Sequence, residues 1–178
     1  MTAVTTARLG LVLGVHPHAH GFGWAAFDGP LSLYDWETAR ARGNKNEVAF
    51  QRFERLLDRL APLTVVFEAF EGRGAMRSPR VVRLCRAMVA ATAVRGIEVA
   101  VYSRGDIRAS FAHLGAVSRY ETAQVIATLF EPLRPTLPAR RSAWAADDQR
   151  LGIFNAVAAV LTHFQRDAQT FLDSLARR

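Results

Sequence analysis

Hydrophobic and polar positions alternate between two rhythms along this chain. Residues 9–16 are almost continuously apolar, with Leu9, Leu11, Val12, Leu13 and Val15 leaving no polar stripe. A run that short and that apolar predicts a strand buried on both faces. Gly21 and Gly23 flank a turn into a second apolar run, Phe22 to Phe27, and Asp28-Gly29-Pro30 marks another turn. Leu31 to Thr38 then reads as a third strand, with Leu31, Leu33 and Tyr34 as its inward candidates. Three strands joined by short turns predict an antiparallel meander.

The rhythm changes after the polar break at 41–46. Val48, Phe50, Phe53, Leu56, Leu57 and Leu60 recur at helical spacing, and Pro62 stops them. Thr64-Val-Val-Phe-Glu68 is a short β-branched strand. A Gly/Arg loop leads to a helix from about Arg80 to Arg95, closed by Gly96, and Ile97 to Tyr102 is a fifth strand. Strand, helix, strand, helix, strand implies parallel pairing through crossovers. Ser103-Arg-Gly-Asp106 caps one further helix, and Ser118-Arg-Tyr-Glu121 is a capping box for the next. Three prolines make 131–138 a loop. A long apolar helix is expected from about Asp147 to Phe164, carrying Leu151, Phe154, Val157, Ala158 and Leu161 inward. The expectation is an α/β protein with one domain over 1–178, residues 1–8 a tail and 165–178 a helical extension.

Composition narrows the class only modestly. Half of the 178 residues are hydrophobic and 22% are charged, as in an ordinary globular domain with a sizeable core. No apolar run reaches the roughly 18–20 residues of a membrane helix, and 1–8 lack the layout of a signal peptide. A single cysteine, Cys85, excludes an internal disulfide and reads as a small core residue. These features predict a cytoplasmic protein with no membrane partner. The net charge of +7 lies mostly on arginine, whose planar fork matches phosphate, so nucleic acid is the first partner to consider. A solvated basic surface is the plainer reading of the same charge.

The opening run Leu11-Val-Leu-Gly-Val-His-Pro, followed by Gly23-Trp-Ala, resembles the opening hairpin of the RuvC-like family of the ribonuclease H-like fold. Asn155-Ala-Val-Ala-Ala-Val-Leu-Thr-His163 is similar to the last-helix pattern of that family, and Arg119-Tyr-Glu-Thr-Ala-Gln-Val125 to its penultimate helix. The resemblance spans roughly residues 9–164 in order. It implies a mixed five-stranded sheet in the order 3-2-1-4-5, flanked by helices. It also implies a Mg²⁺- or Mn²⁺-dependent endonuclease for structured or branched nucleic acid, DNA ahead of RNA, working as a homodimer because a junction needs two symmetric cuts.

Such enzymes hold two metals about 3.5–4 Å apart between clustered carboxylates. The resemblance assigns those positions to His16, Glu68, Asn155 and the start of the last helix, where Asp148 lies. Glu68 and Asp148 would be the catalytic anionic ligands, with His16 and Asn155 weaker ones. His16 stands where the family has aspartate; Asn155 and Gly152 likewise replace charged residues. An imidazole suits Mn²⁺ or Zn²⁺ better than Mg²⁺. Plainer readings stand beside each. His16, His18 and His20 are also ordinary polar turn residues, Glu68 a surface or capping carboxylate, and Asp147-Asp148 a helix N-terminal pair. Arg73, Arg77, Arg80, Arg104 and Arg108 flank the same strand ends and are the candidate phosphate contacts. Because three positions have lost charge, the alternative is a catalytically inactive nucleic-acid-binding or scaffold protein. A pure protein-binding module is the third reading.

Overall fold

A computed structural model describes residues 10–72, 77–140 and 150–176. Five strands form one sheet: β1 (Val12–His18), β2 (Gly21–Phe27), β3 (Leu33–Arg40), β4 (Thr64–Glu68) and β5 (Glu98–Tyr102). Their order is β3-β2-β1-β4-β5. The first three are antiparallel, and β4 and β5 run parallel to β1 and to each other. The helices are α1 (Lys45–Leu60), α2 (Pro79–Val94), α3 (Arg104–Ala112), α4 (Arg119–Leu129) and α5 (Leu151–Ala176). The proline-rich stretch after α4 coils into a 3-10 turn, Glu131–Thr136, which tolerates Pro132 at its start.

Strand parity sorts side chains between two cores. Leu13, Val15, Trp24, Ala26, Val65 and Phe67 pack under α1 and α2 with Phe53, Leu57, Leu84 and Met88. Val12, Ala25, Phe27 and Val66 pack under α4 and α5 with Ile126, Phe130, Phe154 and Val157. Both faces of the central strands are covered, which explains their unbroken apolar runs. The same parity puts His16, Glu68 and Tyr102 on the α5 face, at the carboxyl ends of β1, β4 and β5.

Helix α5 lies unusually close to the sheet. A Cβ on Gly14 would stand 2.3 Å from the Ala156 carbonyl oxygen, and one on Gly23 would stand 2.3 Å from the Gly152 carbonyl carbon. Only hydrogen at both positions lets the helix backbone ride directly on β1 and β2.

Some boundaries depart from the sequence expectation. β1 continues through Pro17 to His18; Pro17 lies past the last β1–β4 pair, Val15 with Phe67, where a missing amide disturbs that ladder least. β3 begins at Leu33; Leu33 and Trp36 pack, partly buried, against the α4/α5 core, and Ala39 is buried in the α1/α2 core. Leu31 is 82% exposed and Tyr34 is exposed as well, so neither packs inward as expected. The register shift at Ala26/Phe27, where Phe27 pairs with Leu33, moves the strand start past Leu31.

Candidate functional site at the carboxyl edge of the sheet

Three of the four positions expected to form the centre do converge. Glu68 is the last residue of β4, His16 the fifth of β1 and Asn155 the fifth of α5. All three are buried. His16 Nδ1 lies 3.5 Å from Glu68 Oε2, and His16 Nε2 lies 3.3 Å from Asn155 Nδ2. One tautomer satisfies both contacts: Nδ1–H faces the carboxylate and Nε2 accepts from the Asn155 amide. The fourth position, Asp148, lies outside the described residues, as does Arg73.

The imidazole is neutral. Its pKa is held well below the usual histidine value, first by burial and then by the positive fields of Arg77 and Arg119, with His18 contributing. A cation here would be desolvated beside two guanidiniums.

The charge opposite Glu68 comes from arginine. Arg119 is the first residue of α4, set there by the Ser118 cap, whose hydroxyl accepts from the Glu121 amide while Glu121 accepts from the Ser118 amide. Its fork donates 2.7 Å to Glu68 Oε1 and 3.2 Å to Oε2, a bidentate pair. Arg77 Nη2 stands 3.9 Å from Glu68 Oε2 and 3.4 Å from His16 Nδ1. Arg77 also donates to the Pro17 carbonyl. Arg119 was absent from the expected site. The sequence carried one signal of it, a cation at the first position of a helix, where the dipole disfavours positive charge.

The other expected arginines divide into two groups. Arg80 donates 2.7 Å to Asn46 Oδ1 and 2.6 Å to the Ala19 carbonyl. With Arg77 on Pro17, it staples the β1–β2 turn to the start of α2, so both forks face inward to protein carbonyls. Arg104 and Arg108, one turn apart on α3, have no protein partner among the described residues. They line a cleft of about 550 Å³ bounded by Glu68, Ser103, Ser118, Arg119, Thr122 and Asn155. Arg104 is placed by a second capping box, in which Ser103 Oγ accepts from the Asp106 amide at 3.0 Å and Asp106 accepts from the Ser103 amide at 3.0 Å. Glu71, three residues past Glu68, pairs with Arg86 at the surface.

Two hard divalent metals do not fit the donor set that the described residues supply. Such ions need several anionic oxygens, and here one carboxylate has both oxygens on a guanidinium. Asn155 is uncharged and His16 is a neutral nitrogen ligand. At position 152 glycine supplies no ligand, and a Cβ there would meet His18 Cδ2 at 3.3 Å and Gly23 Cα at 3.4 Å, a close approach. Among the described residues, no three His, Cys, Asp or Glu side chains converge as a metal cluster.

Sheet order, flanking helices and a polar centre at the ends of β1, β4 and α5 define the RuvC-like form of the ribonuclease H-like fold. Among solved structures, the chain is similar to Thermus thermophilus RuvC in complex with a Holliday junction substrate: TM-score 0.66, 19% identity, covering 90% of this chain and 97% of that one. A second Thermus thermophilus RuvC structure matches at TM-score 0.63 and 20% identity, with coverage of 90% and 97%. The yeast mitochondrial Holliday junction resolvase matches at 0.60 and 13%, with coverage of 93% and 83%. No family model matches the sequence, and no curated protein does.

Proposed function

We propose that this protein binds branched nucleic acid, DNA ahead of RNA, through the cleft beside Glu68, and does so without cutting it. The observation that carries the binding half is the pair Arg104 and Arg108: two cations without a protein partner among the described residues, one helical turn apart, on the wall of a cleft at the carboxyl edge of the sheet. Phosphodiesters are the ligands such forks suit, and the net charge of +7 supports a polyanion. Among the described residues the cleft lining includes no aromatic ring on which a base could stack, which favours contacts to backbone phosphates. The Holliday junction held by one similar structure points to a branched shape. The silent half of the proposal rests on Glu68, whose carboxylate is engaged by Arg119. A homodimer on the junction belongs to the same reading, since a four-way junction presents two equivalent faces. Among the described residues, no helix is long and apolar enough to cross a membrane.

The convergence of His16, Glu68 and Asn155 favours one second reading, a metal-dependent nuclease in which Glu68 and Asp148 supply the anionic ligands and His16 and Asn155 weaker ones. That reading requires Arg119 to release Glu68.

A gel-shift titration of a four-way junction against a linear duplex, with strand cleavage followed in Mg²⁺ and in Mn²⁺, separates the readings. Binding selective for the junction, weakened in Arg104→Ala/Arg108→Ala and accompanied by intact strands, is the expected result. Each lost phosphate contact should lower the slope of log affinity against log salt by about 1. Junction cleavage in Mn²⁺ that disappears in Glu68→Ala would establish the nuclease instead. Absence of binding at low salt would remove both.

A further inference from the structure

The cation at the heart of this centre has a covalent anchor. We infer that Arg119, backed by Arg77, permanently fills the cation position at Glu68, so that the centre is assembled by guanidinium and is independent of divalent metal. This does not rest on the nucleic-acid reading, because it concerns only which positive charge Glu68 keeps.

Four observations meet here. First, the pair is bidentate and engages both carboxylate oxygens, leaving neither free of the fork. Second, Arg119 sits at the first position of α4, where a positive charge opposes the helix dipole; its bond to Glu68 is the interaction that offsets this. Third, the other described donors at the centre carry no carboxylate and are engaged with protein. His16 is buried with Arg77 3.4 Å from its ring, and Asn155 offers its amide to that ring. Fourth, Gly152, one turn before Asn155 on α5 and close to His18 and Gly23, brings no side chain to the centre. Among the described residues, a metal ion arriving at Glu68 would have to expel a guanidinium, gain one charged ligand and accept His16 and Asn155 as its other partners. The guanidinium, tethered through α4, faces no such loss.

The arrangement also has a mechanical consequence. Arg119 is 24% exposed and belongs to the cleft wall. Its fork crosses from α4 to the end of β4, so the ion pair ties the first turn of α4, whose apolar face packs on α5, to the edge of the sheet. In a metal-assembled centre, chelation would loosen that wall. Here chelators should leave it unchanged.

The test needs no nucleic acid, so its outcome is separate from that of the junction assay. The full chain is titrated with Mn²⁺ while the paramagnetic signal of the free ion is recorded, and its melting temperature is measured with Mn²⁺ and with chelator. The wild type should take up no stoichiometric Mn²⁺ across the millimolar range and show the same melting temperature in both. Uptake that is lost in Glu68→Gln or in Asp148→Asn would overturn the inference. The triple variant His16→Asp/Asn155→Asp/Arg119→Gln replaces the tethered cation by two added carboxylates. It should bind Mn²⁺ and melt higher in its presence; a folded triple variant with no uptake counts against the inference. If that variant does not fold, Arg119→Ala decides. Free guanidinium ion at low millimolar concentration should raise its melting temperature above that in equal sodium, and Mg²⁺ should not. Restoration by Mg²⁺ as effectively as by guanidinium would overturn the assignment.

Discussion

Removing Arg119 should harm the protein more than removing the charge it neutralises. In Arg119→Ala the Glu68 carboxylate, 7% exposed, loses both charge-assisted bonds and keeps His16 Nδ1 at 3.5 Å and, as its one nearby cation among the described residues, Arg77 at 3.9 Å. Breaking a fully buried pair from one side costs about 3–5 kcal/mol. Two features reduce that figure: Arg119 is 24% exposed, so water reaches its side of the pair, and the variant relieves an unfavourable helix-dipole contact of about 0.3–1 kcal/mol. The net expectation is about 2–3 kcal/mol. At about 2–4 °C per kcal/mol for a chain of this size, that is roughly 4–12 °C in melting temperature. Glu68→Gln leaves the half-buried guanidinium able to hydrate and keeps one carbonyl acceptor, so its cost is about 1–2 kcal/mol. The double variant removes the orphaned charge altogether and should melt higher than Arg119→Ala alone. The assay is a double-mutant cycle by urea and thermal unfolding. Strictly additive losses, or a Glu68→Gln variant less stable than Arg119→Ala, would refute the reasoning that an unpaired buried carboxylate dominates.

Three further outcomes follow from the same geometry. His16 has a folded pKa well below its unfolded value, so the unfolded chain takes up a proton first as pH falls below about 6.5, and stability drops from there toward the depressed folded value; the decline is at most about 1.4 kcal/mol per pH unit, and unfolding curves of His16→Asn between neutral and mildly acidic pH should lack that component. Gly14→Ala places a methyl 2.3 Å from the Ala156 carbonyl and 2.7 Å from Val160 Cγ2, so α5 must lift from the sheet, at a cost of about 1–3 kcal/mol or more; amide exchange should quicken along α5, and an unchanged exchange pattern would contradict the close approach. The Tyr102 hydroxyl lies 3.0 Å from His163 Nδ1, whose other nitrogen is 3.3 Å from Asp167, so Tyr102→Phe should orphan a buried acceptor and cost about 1–3 kcal/mol, read by thermal unfolding.

Much of the architecture was legible in one dimension because it rests on short-range rules. Side chains on a strand alternate between faces, so His16, Glu68 and Tyr102 were bound to share a side once their strands were recognised. Crossover helices make β1, β4 and β5 parallel; the order 3-2-1-4-5 comes from the family resemblance, and the sheet has it. Capping residues announced the starts of α3 and α4, and both capping boxes are present. The third strand was misplaced by two residues because a bulge shifts register without leaving a periodic trace.

The electrostatic state of the centre was not legible in the same way. Charges pair by distance in space, and an arginine has several carboxylates and carbonyls to choose among until the chain is folded. Arg119 lies 51 residues from Glu68 along the chain and meets it because α4 packs along α5, beside the sheet, so that the side chain of its first residue reaches the end of β4. Arg77 and Arg80, equally plausible as phosphate contacts, spend their forks on Pro17 and Ala19 because the start of α2 passes over the β1–β2 turn. Arg104 and Arg108 face the cleft because, among the described residues, the carboxylates that share it are paired elsewhere, Glu68 with Arg119 and Glu71 with Arg86. Sequence alone determined which residues stand at the carboxyl edge of the sheet; the tertiary structure decided that the charge opposing Glu68 is a guanidinium, because only three-dimensional packing chooses among partners that are all distant in the chain.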